Sequence, residues 1–423
     1  MISLIMSRVR KYQVFIANSL WLFFAEVVNK GLLTFLSIPI VRFIGVDSYG
    51  TFSIALSFVS LFTFATDFGF STLVMREVGK DSTVIPSYLR TGLALKIVLA
   101  TITIILINSV GLSLYRDSSI QLLIIILSFY ISLNGINIFF QSFFRALQQV
   151  RYEAFAKVVQ GLTLFTLSIL AITLFQSTVY VASSFVIATI VALILLFFLV
   201  HKRLSSPIPQ WNAKAMLSMT QQSWMYGVSG FLALINLNFD AVALSFFTSS
   251  TDVGAYSALY RILIALMFAI SLIFIPLFPT IARNTDNKGF LKKLNIRMLL
   301  LGSVFGLVFV VPTLLFTEQI IQLLYGTSLV AYSYILTILV WVFYVILLRE
   351  PAGYTLSAIG KQKYYLIGLL VSSVTNVILN LIFVPQYGVL AAAITTLISE
   401  TLNLIILTSA LWIHLNSSTE LQP

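Results

Sequence analysis

Apolar runs long enough to cross a bilayer recur along almost the whole chain, and no other feature narrows the available folds as much. At roughly 1.5 Å per residue, about 20 residues of helix span the ~30 Å hydrocarbon core. Runs bounded by charged or turn-forming residues fall at about 14–41, 51–74, 88–110, 119–142, 153–175, 178–200, 218–247, 255–281, 298–317, 328–348, 364–384 and 389–415. Hydrophobic residues make up 59% of the 423 and charged residues only 9%, more apolar surface than a soluble core can hide. In lipid the backbone must satisfy its own hydrogen bonds, so each run is read as a helix. The expected fold class is an all-α polytopic membrane protein with 12 transmembrane helices.

The charges give an orientation. The N-terminus and the even-numbered connections, to which Lys157 and Arg349 are assigned, hold 20 of the 25 Lys and Arg. By the positive-inside rule both termini are expected in the cytoplasm. The net charge of +11 is spread over short segments facing an anionic leaflet, which argues against a nucleic-acid partner and for the lipid bilayer. The start, "MISLIMSRVRKYQ", lacks the order of a cleaved signal peptide, so the first helix is expected to remain in the mature protein. Cysteine is absent, which excludes disulfides, thiolate metal sites and a Cys nucleophile. With only His201 and His414, both near helix ends, a His-based metal centre is not expected. No phosphate-binding Gly-Lys-Ser/Thr loop occurs, so ATP hydrolysis within the chain is not expected either.

The chain also repeats itself. "GVDSYGTFSIAL" follows the first run and "STDVGAYSALY" the seventh; setting Gly50 on Gly254 sets Phe52 on Tyr256 and Ser53 on Ser257, an offset of 204 residues. A repeat of six helices returns the second copy in the same orientation, so the halves should be related by an axis along the membrane normal. Two six-helix lobes around a central cavity are expected, residues 1–205 and 206–423, joined by the linker "HKRLSSPIPQWN".

Six stretches carry a family resemblance: "RFIGVDSYGTF" from Arg42, "DFGFSTLVMRE" from Asp67, "FFQSFFRALQQ" from Phe139, "FDAVALSFFTSSTDVGAYSALY" from Phe239, "LLYGTS" from Leu323 and "VPQYGVLAAAITTLISE" from Val384. Together they resemble the polysaccharide-export branch of the multidrug/oligosaccharidyl-lipid/polysaccharide transporter superfamily, and specifically the Wzx-type O-antigen repeat-unit flippases. The resemblance implies a protein of the bacterial inner membrane that moves undecaprenyl-diphosphate-linked oligosaccharide from the cytoplasmic to the periplasmic leaflet by alternating access. It also implies polymerase and chain-length machinery as partners. A cation-coupled multidrug exporter of the same superfamily is the alternative. A membrane glycosyltransferase or polymerase ranks below both, because the connections are short and their acids, Asp47, Asp117, Asp252 and Glu318, are isolated.

Charges within apolar helices are costly and usually face a protein interior or a water-filled path. Glu26 and Lys30 lie at i, i+4 in "LFFAEVVNKGLL", and the repeat offset sets Gly230 and Leu234 at their places, so the scaffold does not require them. They line a cavity, with Lys30 engaging the diphosphate, or they neutralise each other against another helix. Asp67 is a cavity or a packing acid. Lys96 and Arg261 are substrate cations or snorkel to an interface. Asn236 with Asp240, the trio Asn134, Asn137 and Gln141, the pair Asn376 and Asn380, and Glu400 with Asn403 form helical stripes turned from lipid, which line a polar cavity or hold helices together. The substrate-binding candidates are therefore Glu26, Lys30, Asp67, Lys96, Asp240, Arg261, Glu400, Asn236, Asn137 and Gln141. Their four acids stand against three bases, so the cavity is not plainly cationic, which leaves room for coupling to H+ or Na+, with no other cofactor expected.

Overall fold

The computed structural model describes residues 21, 24–29, 31–32, 34–274 and 277–416. The described elements are all helical: α1 (Phe24–Ile44), α2 (Val46–Leu61), α3 (Thr63–Asp67), α4 (Phe70–Lys80), α5 (Ile85–Leu114), α6 (Ser118–Ala146), α7 (Val150–Phe175), α8 (Thr178–Arg203), α9 (Ala213–Phe247), α10 (Ser250–Phe274), α11 (Phe278–Arg283), α12 (Lys288–Leu315), α13 (Thr317–Tyr325), α14 (Ser333–Ala358) and α15 (Gln362–Asn416). Among the described residues nine helices are long and apolar enough to cross a membrane, ten if the bent run α2 to α4 is one span. Their outer faces carry large apolar side chains in contact with the surroundings, among them Leu174, Leu301 and Ile413, each about 70% exposed. Such faces require lipid. The protein is an all-α, multi-pass membrane protein.

Two elements differ from uninterrupted spans, each for a local reason. The run expected as one helix over 51–74 is broken twice: Val46–Leu61 and Thr63–Lys80 meet at 41° across Phe62, and the helix is interrupted again at Phe68 and Gly69. Phe68 and Gly69 both lie in the left-handed region, at φ 48° and 76°. Glycine takes that conformation without penalty, whereas Phe68 pays about 1–2 kcal/mol for it. Gly69 is also the residue over which α9 passes, and a Cβ there would lie 2.4 Å from the Ser223 carbonyl oxygen. Conversely, the expected spans 364–384 and 389–415 form one 55-residue element. It changes direction at Gly388, φ 54° and ψ −131°, three residues beyond Pro385, which has no N–H to continue the ladder. The segment on either side is about 40 Å long, enough for one crossing.

The helices gather into two compact units, Met1–Gly45 with Ile54–Leu234, and Val46–Ser53 with Ile235–Pro423. In the first unit α6 is central, packed by α4, α5, α7 and α8. Its core is a cluster of phenylalanines, with Phe70 of α4 stacked on Phe139 of α6 at 5.6 Å between ring centroids. In the second unit α14 holds the corresponding place, against α10, α12 and α15.

The repeat read from the sequence reappears as a packing contact. The starts of α2 and α10, equivalent under the offset, cross so closely that a Cβ on Gly50 would lie 1.8 Å from the Ser250 carbonyl oxygen. A Cβ on Gly254 would lie 2.2 Å from the Val46 carbonyl oxygen. The contact is reciprocal, each glycine meeting the helix start that carries its counterpart. Only residues without side chains admit this approach.

Candidate functional site

The first unit holds two ionic groups, one around the buried Lys96 and one around the buried Glu153. Lys96 of α5 is fully buried, so its side chain does not snorkel to an interface. Its ammonium pairs with Asp67 and donates to the Thr66 carbonyl at 3.0 Å. A cation at the C-terminal end of α3 meets the unsatisfied carbonyls there. The Asp67 carboxylate in turn accepts from the Ser71 N–H at 3.2 Å in the first turn of α4. The ion pair thus satisfies both helix ends exposed by the break at Phe68 and Gly69.

The second group starts at Glu26. Lys157 pairs with it and with Glu153, the latter at 3.0 Å, and Glu153 pairs with Arg145. This corrects the assignment of Lys157 to a connection: α7 begins at Val150, which places Lys157 about two turns inside the helix. The partner found for Glu26 is therefore 131 residues away in sequence. Lys30 lies outside the described residues. Asn29 donates to the Lys157 carbonyl at 3.0 Å, a second tie between α1 and α7.

The amides of α6 join helices. Asn137, fully buried, donates to the Thr189 carbonyl of α8 at 3.1 Å, and Gln160 of α7 reaches both Asn134 and Thr189 at 3.3 and 3.2 Å. Gln141 is buried on the same helix. These hydrogen bonds run between helices, while the Asn137 amide oxygen is buried without a partner among the described residues.

The second unit is organised around Asp240, a buried carboxylate on α9. Four side chains donate to it: Asn376 at 3.0 Å and Asn380 at 2.8 Å on Oδ1, Tyr256 at 2.7 Å and Thr396 at 2.6 Å on Oδ2. Tyr256 comes from α10, Asn376 and Asn380 from the first part of α15, and Thr396 from beyond its kink. The kink at Gly388 folds the two parts of α15 back around the same carboxylate. The amide oxygens of Asn376 and Asn380 have no hydrogen-bond partner among the described residues. Carboxylate, hydroxyl and amide oxygens are the ligands of a hard monovalent cation, and a rotation of either amide presents its oxygen to the site. Protonation of Asp240 would remove the same charge. Asn236, one turn earlier, has both amide atoms buried and without a partner among the described residues.

One turn beyond Thr396, Glu400 pairs with Arg349, which also pairs with Glu350 at 2.8 Å. Arg349 is only 9% exposed and lies within α14, a correction to its assignment to a connection. Arg261 on α10 is half-buried and forms no ion pair among the described residues. Among those residues no group of three His, Cys, Asp or Glu is arranged to hold a metal.

The fold and the site together are a polytopic helical membrane bundle with buried carboxylates, bound by partners from other helices. Solved structures with this fold include the inward-facing conformation of a multidrug resistance MATE family transporter of the MOP superfamily, with a TM-score of 0.75 and 14% identity over 93% of this chain and 96% of that one. The lipid II flippase MurJ in its inward closed conformation also matches with a TM-score of 0.75, at 16% identity over 93% of this chain and 87% of that one. At these identities the likeness is one of fold alone. Residues 15–285 match the family of polysaccharide biosynthesis proteins, and the chain belongs to that family. One curated relative is "Probable flippase AglR" of Haloferax volcanii, 30% identical over 178 residues that cover 41% of this chain and 37% of that protein. The matched stretches span between 37% and 57% of the curated relatives' length.

Proposed function

We propose that the protein is a flippase for polyprenyl-diphosphate-linked oligosaccharide, moving O-antigen-type repeat units on undecaprenyl diphosphate from the cytoplasmic to the periplasmic leaflet by alternating access. The observation that carries this reading is how the deep cations are used. Lys96, Lys157 and Arg349 are each neutralised by carboxylates, whereas Arg261 is half-buried with no ion pair among the described residues. A diphosphate leaving water needs a compensating charge, and a guanidinium binds its oxygens in bidentate fashion. Arg261 is the residue we assign to it, with Lys30 retained from the sequence as a second cation. Family membership and the similarity to a probable flippase support the reading, as does the fold shared with a lipid II flippase. The setting we propose is the bacterial inner membrane, with cytoplasmic termini, twelve spans in two lobes, residues 1–205 and 206–423, and a polysaccharide polymerase and its chain-length machinery downstream.

Net movement is coupled, in this proposal, at Asp240, which exchanges a proton or Na+ as the cycle turns. The second reading, export of cationic amphiphiles, is favoured by the fold shared with a MATE transporter. The two readings differ at Arg261, since a cationic drug gains nothing from a nearby guanidinium.

Reconstituted protein and a fluorescent undecaprenyl-diphosphate oligosaccharide test the proposal. Wild type should expose inner-leaflet label to an impermeant quencher, and Arg261→Ala should not, at equal incorporation. Transport of the label without the protein, or of cationic dye but not oligosaccharide with it, would overturn the flippase reading.

A further inference from the structure

At one end of the second unit, α12, α14 and α15 line a shallow cleft that is open to the surroundings. Lys292, Asn295 and Leu299 of α12 form one wall, Thr408 and Trp412 of α15 the other, and Pro351 of α14 lies at the bottom. The spacing i, i+3, i+7 puts the three α12 residues on one face. Pro351 sits inside α14, where its ring takes the place of a backbone N–H. The lining of the cleft combines one cation, Lys292, with Trp412 and the apolar Leu299, Leu411 and Leu415.

The mouth is basic. Lys292 lies over the Trp412 ring, 4.9 Å from its centroid, and donates to the Asn416 side chain at 2.9 Å. Lys288 and Lys361 both interact electrostatically with His414, so two further cations converge on the same end of α15. From Arg283 to Arg297 the sequence carries five basic residues and one acid, Asp286. Part of this charge serves the C-terminal dipole of α15. That accounts for a cation near His414 but not for an aromatic-walled cleft beneath it. Beside the cleft, Leu300, Leu301 and Ile413 are 62%, 70% and 72% exposed, so it opens where the protein meets lipid.

A tryptophan at an interface, a lysine with N–H groups to spare and an apolar groove below match the three parts of a phospholipid: the glycerol level, the phosphate and the acyl chain. Charge decides the class. A zwitterionic head carries its own ammonium and would meet the cations of the mouth with no net gain, whereas an anionic head is attracted by each of them. We propose that this cleft binds an anionic phospholipid of the adjoining leaflet, its phosphate held by Lys292 and its chain lying along Leu299 between α12 and α15. The lipid bridges all three helices, and it does so whatever the protein transports.

Native mass spectrometry of the delipidated full chain in detergent tests this, with phosphatidylglycerol and phosphatidylcholine of matched chains as probes. Phosphatidylglycerol should be retained preferentially, and Lys292→Gln should weaken its binding about fivefold, the effect of one lysine near a charged surface. Lys293→Gln removes the same charge from the next, exposed position and should leave binding within about twofold of wild type. Equal retention of the two lipids overturns the proposal, as does an equal effect of the two substitutions, which would mean that net charge alone is at work. Inorganic phosphate competing as well as the lipid would identify a bare anion site and overturn it too. Should Lys292→Gln fold poorly, Trp412→Leu takes its place, with loss of phosphatidylglycerol preference again expected.

Discussion

Thr251 donates a hydrogen bond to the Asp47 carboxylate at 3.2 Å, across a separation of 204 residues that equals the repeat offset of the sequence. Each residue therefore touches its own counterpart, as residues on an axis between two equivalent elements do. Gly50 and Gly254 bring the backbones together one turn further on.

This contact can be captured chemically, because the native chain contains no cysteine. Asp47→Cys with Thr251→Cys should cross-link in membranes under mild oxidation or with a short bifunctional thiol reagent. Gly254→Ala should abolish most of the product and lower stability by about 1–3 kcal/mol, since its Cβ has no room. A cross-link yield unaffected by Gly254→Ala would show that the crossing is looser than the structure has it.

Lys96→Met should be among the most destabilising single changes, at about 3–5 kcal/mol, because it strands Asp67 at the break in the bent span. Adding Asp67→Asn should restore part of the loss. Thermal unfolding in detergent, followed by tryptophan fluorescence, reads both, and a double variant no better than Lys96→Met would mean that the pair is not coupled.

Glu26 and Lys157 should show a coupling energy of about 0.5–3 kcal/mol in a double-mutant cycle built from Glu26→Gln and Lys157→Gln. The size matters less than the sign. Additive effects would show that α1 and α7 are held together by other contacts, Asn29 to the Lys157 carbonyl foremost.

If Asp240 takes up a cation, wild-type melting temperature should rise with NaCl over choline chloride at equal ionic strength, and Asp240→Asn should lose the difference. Because four donors meet this carboxylate, Asp240→Ala should also cost on the order of 3 kcal/mol without any added ion. A proton in place of sodium would appear as a melting temperature that depends on pH in wild type and not in Asp240→Asn.

Helices, and the faces that avoid lipid, were legible in the sequence because the bilayer penalises every unsatisfied backbone group and every exposed polar side chain. That penalty acts residue by residue, so runs such as 119–142 and stripes such as Asn376 with Asn380 can be read locally. The register of the repeat was legible for a related reason, since two copies of one packing problem keep glycine at the same place, Gly50 and Gly254. Partners were not legible. The spacing of Glu26 and Lys30 could not show that Glu26 also meets Lys157 on α7, 131 residues away; Arg349 read as a loop residue, and it meets Glu400. A break at Phe68 and Gly69 inside an apolar run, and a kink at Gly388 that folds Thr396 back toward Asn376 around Asp240, depend on which helices cross there. The sequence by itself thus determined what must be helical and which polar groups must be kept from lipid. Only the tertiary structure decided which charge meets which, because in a low-dielectric interior that choice is made by distances between helices far apart in the chain.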